Sequence, residues 1–212
     1  MGLREVKKQE TRRRIAAAAF ELFARHGYDN VPVARVAREA GVSEATLFNY
    51  FPTKEDLFFS GLGAFGDRLI AAVASRGSGT SVVAAFRDHV LDVGGFVAGL
   101  AAGDTQALAE ARRVNLVVAE SPALRSREDA MFARESADLA EALLGEVADG
   151  EVTDADVVLA GSLASALVGV HRELVHLVRR RVLDGDRIAE LADDVVRLGG
   201  LAFDRLGRGL EA

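Results

Sequence analysis

The chain has 212 residues, half of them apolar, 27% charged and 6% aromatic, with three prolines; this suits a helical protein holding one large domain or a small one joined to a larger. The absence of cysteine excludes a disulfide frame and a Cys-ligated zinc site, and the charged stretch from Met1 to Arg14 lacks the apolar run of a secretory signal. The net charge of −6 is unevenly divided, with ten Lys or Arg against six Asp or Glu in residues 1–54 and sixteen against twenty-six in residues 55–212.

Six basic and two acidic side chains fall in the first fourteen residues, which describes either an arm that meets phosphates or a solvated, frayed terminus. From Glu10 to His26, Ile15, Ala18, Ala19, Leu22 and Phe23 recur at helical spacing, and Gly27 supplies a stop. Pro32 opens a short second helix whose inner face is Val33, Val36, Ala37 and Ala40, ended by Gly41. Ser43 caps a third helix, Glu44 to Tyr50, which Phe51-Pro52 stops. Thr53 then caps a fourth, with Asp56 in a capping-box position, running to about Ser75. Two short helices joined by Ala40-Gly41-Val42, a three-residue turn carrying a glycine, form the helix-turn-helix pattern.

After the flexible turn at 76–80, helices are predicted at 81–102, 104–120, 122–145, 153–183 and 186–206, with no strand, so the fold class is all-α. The longest run without a charged or histidine side chain, Val157 to Val170, is 14 residues, short of the roughly 20 that span a bilayer. No membrane span is expected, and the expected location is cytoplasmic.

A helix that reads DNA exposes polar and aromatic side chains near its N-terminal part and leans on phosphates at its ends. In the third helix Leu47, with Val42, faces inward, leaving Thr46, Phe48, Asn49 and Tyr50 for the groove. Asn pairs bidentately with adenine, a Thr methyl meets the thymine methyl, and Lys54 at the next helix start meets a phosphate. On the residues alone, Phe48 and Tyr50 serve equally well as core of a small domain, and the alternative for the Thr46 hydroxyl is a bond to its own helix backbone.

The pattern Ile15-x-x-Ala18-Ala19-x-x-Leu22-Phe23-x-x-x-Gly27-Tyr28, followed by Val36-Ala37-x-x-Ala40-Gly41-Val42-Ser43-x-Ala45-Thr46-Leu47-Phe48-x-Tyr50-Phe51-x-x-Lys54-x-x-Leu57, resembles the signature of the tetracycline-repressor (TetR) family over about residues 11–58. The resemblance implies an N-terminal three-helix DNA-binding domain, residues 1–54, and a larger helical domain, residues 55–212, that dimerises and binds a small effector. It also implies that Ala45, Thr46, Phe48 and Asn49 face the groove and that Tyr50 and Lys54 meet phosphates. Phe48 stands where the family commonly carries Tyr, leaving an apolar or stacking contact. Arg12 and Arg13 are taken as further neighbours of the DNA backbone.

In the second half, Leu163, Leu167, Val170 and Leu174 of the 153–183 helix, with Leu191, Val195 and Leu198 of the last helix, form apolar stripes. Together, over 153–206, they suit a four-helix bundle with a symmetry mate; the alternative is ordinary core of one chain. Phe86, His89, Asn115 and His171 lie on apolar faces and are candidate ligand contacts. Gly94, Gly95 and Gly99 weaken the helix they occupy and suggest a cavity or close packing. No HExxH spacing, P-loop or Ser/His/carboxylate set is present, so no catalytic residue, metal or cofactor is expected. The expected protein is a transcriptional repressor, a homodimer on a palindromic operator in double-stranded DNA, released by an apolar or amphipathic small molecule. A helical protein-binding adaptor and, less favoured, a helical enzyme are the competing readings.

Overall fold

The computed structural model describes residues 3–61, 63–91, 105–147, 151–186 and 188–210. Every regular element among them is a helix: α1 (Leu3–His26), α2 (Val33–Glu39), α3 (Glu44–Tyr50), α4 (Lys54–Phe58), α5 (Gly63–Ala74), α6 (Val82–Val90), α7 (Thr105–Glu120), α8 (Pro122–Leu144), α9 (Asp154–Asp184) and α10 (Ile188–Leu210). Gly94, Gly95, Gly99 and the second half of the helix expected at 81–102 lie outside the described residues.

Two expectations change. The first helix begins at Leu3 rather than Glu10, so the basic N-terminal residues are helical, with residues 5–10 exposed. The single helix expected over 53–75 is interrupted by a 3-10 turn at Phe59–Gly61. Gly61 ends the turn and Gly63 begins the next helix, and a glycine costs a helix interior about 1 kcal/mol relative to alanine.

By its contacts the chain divides into two units, Met1–Ala64 with Leu116–Arg127, and Phe65–Asn115 with Glu128–Ala212. The first therefore runs ten residues past the expected boundary at 54 and takes in the corner between α7 and α8. Its interior comes from Ile15, Ala19, Leu22 and Phe23 of α1, Val36 and Ala37 of α2, Leu47 of α3, Phe51, and Leu57 of α4. At the corner Ser121, almost fully buried, donates from Oγ to Asp29 at 3.0 Å, and Arg127 donates to Asp56 at 2.6 Å.

In the second unit one core gathers Leu69 and Val73 of α5, Phe86 of α6, Phe132 and Leu139 of α8, Ala164, Leu167, Val168 and Leu174 of α9, and Phe203 of α10. The Phe86 and Phe203 rings lie 5.8 Å apart. A second cluster, Val178, Val182, Leu191, Ala192 and Val195, joins the C-terminal half of α9 to α10. Thr153 and Asp156 close a capping box at the start of α9, satisfying donors that a helix start leaves open. By length and composition alone α9 is long and apolar enough to cross a membrane, whereas its 14-residue run without a charged or histidine side chain led to the expectation of no span. Within the unit this helix is central, burying Ala164, Leu167, Val168, His171, Leu174, Val178 and Val182.

Candidate nucleic-acid interface

The turn between α2 and α3 is made by Gly41, whose φ of 64° is the left-handed conformation that other residues rarely adopt. Its N–H donates to the Arg38 carbonyl, and the Val42 N–H to the Ala37 carbonyl. The first turn of α3 is then fixed at Ser43, whose Oγ accepts the Thr46 N–H at 3.1 Å and lies 2.8 Å from the Thr46 hydroxyl. Leu47 is fully buried and roots the helix in the unit. Seven residues are too few for an isolated helix to persist in water, so these anchors determine where α3 points.

On the opposite face Glu44, Ala45, Phe48 and Asn49 are exposed, Phe48 at 43%, while Thr46 and Tyr50 are half-buried. The exposed Phe48 ring and Asn49 carboxamide offer an apolar contact and a two-sided hydrogen-bonding group on this face. Of the alternatives left open by the sequence, Phe48 as a core residue is excluded by its exposure. The Thr46 hydroxyl is engaged with the Ser43 cap.

The basic residues separate into two groups. Arg13 is exposed. Arg12, half-buried, donates to the Tyr50 carbonyl at 3.0 Å and lies over the Phe51 ring at 4.5 Å. Lys54 donates to the Tyr28 carbonyl at 2.6 Å, with its ammonium 4.1 Å from the Tyr28 ring and 5.5 Å from that of Phe23. Burial holds the Lys54 ammonium below its ordinary pKa, with Asp29 and Glu55 opposing. The Tyr28 hydroxyl donates to Glu55 at 2.7 Å, and burial followed by that hydrogen bond raises its pKa well above the usual phenol value.

In the second unit, polar side chains of α8 and α9 pair at His171 and at Arg179, the latter also reached by Asn115 of α7. His171 Nδ1 is 2.9 Å from Glu135 Oε1, and its ring meets the Phe132 ring edge-on at 5.4 Å. Arg179 forks onto Glu128 at 2.8 and 2.5 Å and donates to the Asn115 oxygen at 3.3 Å, while the Asn115 amide donates to the Ala111 carbonyl. Phe86, a candidate ligand contact, is instead fully buried against Phe203 as core, and His89 is half-buried on α6. Sequence reasoning missed Glu128, Glu135 and Arg179. The available signal was Glu128, Phe132 and Glu135 at steps of four and three on α8, facing His171 and Arg179, two turns apart on α9.

The residues expected to meet a symmetry mate also divide. Leu167 and Leu191 are fully buried in the chain's own core, with Val195 and Leu174 nearly so, whereas Leu163, Val170 and Leu198 are half-buried. The reason is helical phase: Leu167 and Leu174, seven residues apart, lie on the face of α9 turned toward the core, while Leu163 and Val170 lie at the edge of that face. The neighbouring face of α9, with α10, lines an open groove of about 580 Å³ formed by Ala166, Gly169, Val170, Leu177, Leu198 and Ala202 and edged by Arg172, Glu173 and Arg180.

The three-helix arrangement of α1 to α3 is that of a helix-turn-helix protein. Residues 15–60 match the bacterial regulatory proteins of the tetR family. Over 78 residues the chain is 32% identical to the transcriptional regulator TcmR of Streptomyces glaucescens, covering 37% of this chain and 34% of that protein. Over 64 residues it is 38% identical to the transcriptional repressor KstR of Mycolicibacterium smegmatis, covering 30% and 31%. The chain thus matches about a third of the length of these relatives. A regulator structure from Mesorhizobium loti, described as of the TetR family, superposes over 93% of this chain and 95% of its own at 18% identity with a TM-score of 0.51, a likeness of fold. Over residues 15–60 the chain is thus similar to the N-terminal domain of the tetR family of bacterial regulatory proteins.

Proposed function

We propose that the chain is a sequence-specific DNA-binding transcriptional regulator of the bacterial cytoplasm, working as a homodimeric repressor on a palindromic operator. The observation that carries this reading is α3: a helix fixed at its first turn and rooted by Leu47, presenting Ala45, Phe48 and Asn49 outward within a domain of this family. Asn49 takes the role of base reader, Phe48 an apolar contact with a thymine methyl, and Arg13 a phosphate contact. Lys54 keeps a proposed phosphate role because only one of its three N–H donors goes to Tyr28. Repression is supported by the printed description of KstR as a repressor.

The groove on α9 and α10 suits a second copy of the chain. It is apolar at its centre, it admits a close helix at Gly169, where an added Cβ meets nothing within 4 Å, and its edge carries both Arg172 and Glu173. Both signs on one edge allow a twofold mate to pair with itself. An apolar or amphipathic effector bound in the second unit would lower DNA affinity if it favours the non-binding arrangement. The test is selection from a pool of random duplexes by the purified protein. Enrichment of a motif with twofold symmetry supports the reading, and a pool left unenriched rejects it; neither a helical adaptor nor an enzyme would produce such a motif.

A further inference from the structure

A two-turn helix that reads bases has to be held at both ends, and α3 supplies only one of the two anchors itself. Its N-terminus is capped by Ser43, but its last turn contains no basic residue. At the C-terminus the Phe51 N–H satisfies the Leu47 carbonyl. Pro52, which has no N–H, follows and cannot serve the next carbonyl. The end of α3 therefore carries open carbonyls and the negative pole of the helix without a cation of its own.

Arg12 fills that place from α1. Its guanidinium donates to the Tyr50 carbonyl at 3.0 Å while its central carbon lies over the Phe51 ring at 4.5 Å from the centroid, the ring itself being buried. The remaining contacts that would mark Arg12 as part of an ion pair are absent among the described residues. Its neighbour Arg13 is exposed and makes neither contact.

We propose that Arg12 is a positioning residue, holding the C-terminal end of α3 through the Tyr50 carbonyl and the Phe51 ring rather than neutralising a DNA phosphate. The proposal rests on the reading of α3 as the base-contacting helix. A planar guanidinium both stacks and donates in one geometry, which a lysine ammonium does not reproduce. Losing Arg12 loosens the helix that carries Phe48 and Asn49, so discrimination between sequences falls although the count of phosphate contacts is unchanged.

The experiment measures the motif selected by the wild-type protein against a scrambled duplex, over a salt series, for Arg12→Lys, Arg12→Ala and Arg13→Ala. The expected result for Arg12→Lys and Arg12→Ala is a fall of about tenfold in the ratio of specific to non-specific affinity, the scale of one charge-assisted hydrogen bond. The dependence of log affinity on log salt stays as in the wild type. Arg13→Ala is expected to flatten that dependence by about 0.9, as loss of one phosphate contact does, with the ratio kept. Arg12→Lys retains the charge, so it decides the matter even where Arg12→Ala does not fold. Amide hydrogen exchange at Leu47 and Phe51 in DNA-free Arg12→Lys is expected to rise, and this reading stands even if no duplex is enriched and the regulator reading fails. A salt slope flattened in Arg12→Ala and restored in Arg12→Lys, with the ratio unchanged in both, would overturn the proposal, as would unchanged exchange at α3.

Discussion

Tyr28 shows how one buried hydroxyl ties the first unit to pH. Its folded pKa lies above the ordinary 10.0, first through burial and then through the hydrogen bond to Glu55. The unfolded chain therefore releases the phenol proton above pH 10 while the folded chain retains it. The contribution is fully present below that pH and is lost as pH rises, with a slope approaching about 1.4 kcal/mol per pH unit. Urea unfolding between about pH 9 and pH 11 is expected to show this decline in the wild type and its absence in Tyr28→Phe. An equal decline in both proteins would assign it to other groups. The neighbouring Lys54 acts in the opposite sense, because its lowered pKa makes the folded chain shed a proton before the unfolded one does, and stability gains as pH climbs toward the ordinary lysine value.

At the scale of elements, much of the first unit is legible in the sequence because its signals are local. Ser43, Leu47 and Phe51-Pro52 define α3 to the residue, and Gly41 defines the turn before it. Ser43→Ala removes the acceptor for the Thr46 N–H and is expected to cost about 1 kcal/mol of stability in chemical unfolding. An unchanged midpoint would mean that Leu47 alone places α3. What the sequence does not reveal is where long side chains spend their hydrogen bonds. Arg12 and Lys54 are basic residues near a proposed DNA face, and nothing in their spacing shows that the one reaches the Tyr50 carbonyl and the other the Tyr28 carbonyl. Likewise the α9 stripe is visible, but whether Leu167 turns to its own chain or to a mate depends on packing partners distant in sequence. Gly199 illustrates the same limit: an added Cβ there would fall 2.7 Å from Leu91 Cδ2 and 3.0 Å from Leu174 Cδ1, while at Gly200 it meets nothing. Gly199→Ala is expected to lower thermal stability as those leucines give way. Gly200→Ala is expected to raise it by up to about 1 kcal/mol through helix propensity. The reverse order would contradict the close approach of α10 to α6 and α9.

Under the proposed function, assembly and DNA reading of the whole molecule belong together, since one reader per chain would need a mate to recognise a symmetric site. The division of the apolar stripes gives two distinguishable outcomes. Val170→Glu places a charge in the open groove and is expected to give a folded monomer by light scattering and circular dichroism. Leu167→Asp buries an unpaired charge in the core and is expected to unfold the second unit, a change costing several kcal/mol. A wild-type chain that is monomeric at micromolar concentration would remove the groove as a dimer surface. The most direct test of the account is a paired selection from random duplexes by the wild-type protein and by Asn49→Ala. The expected result is one symmetric motif for the wild type, and the same spacing with relaxed preference at one matching base pair in each half for the variant, a change of about 1–3 kcal/mol at that position. Identical motifs from the two proteins, or no motif from either, would contradict the assignment of α3 as the helix that reads DNA.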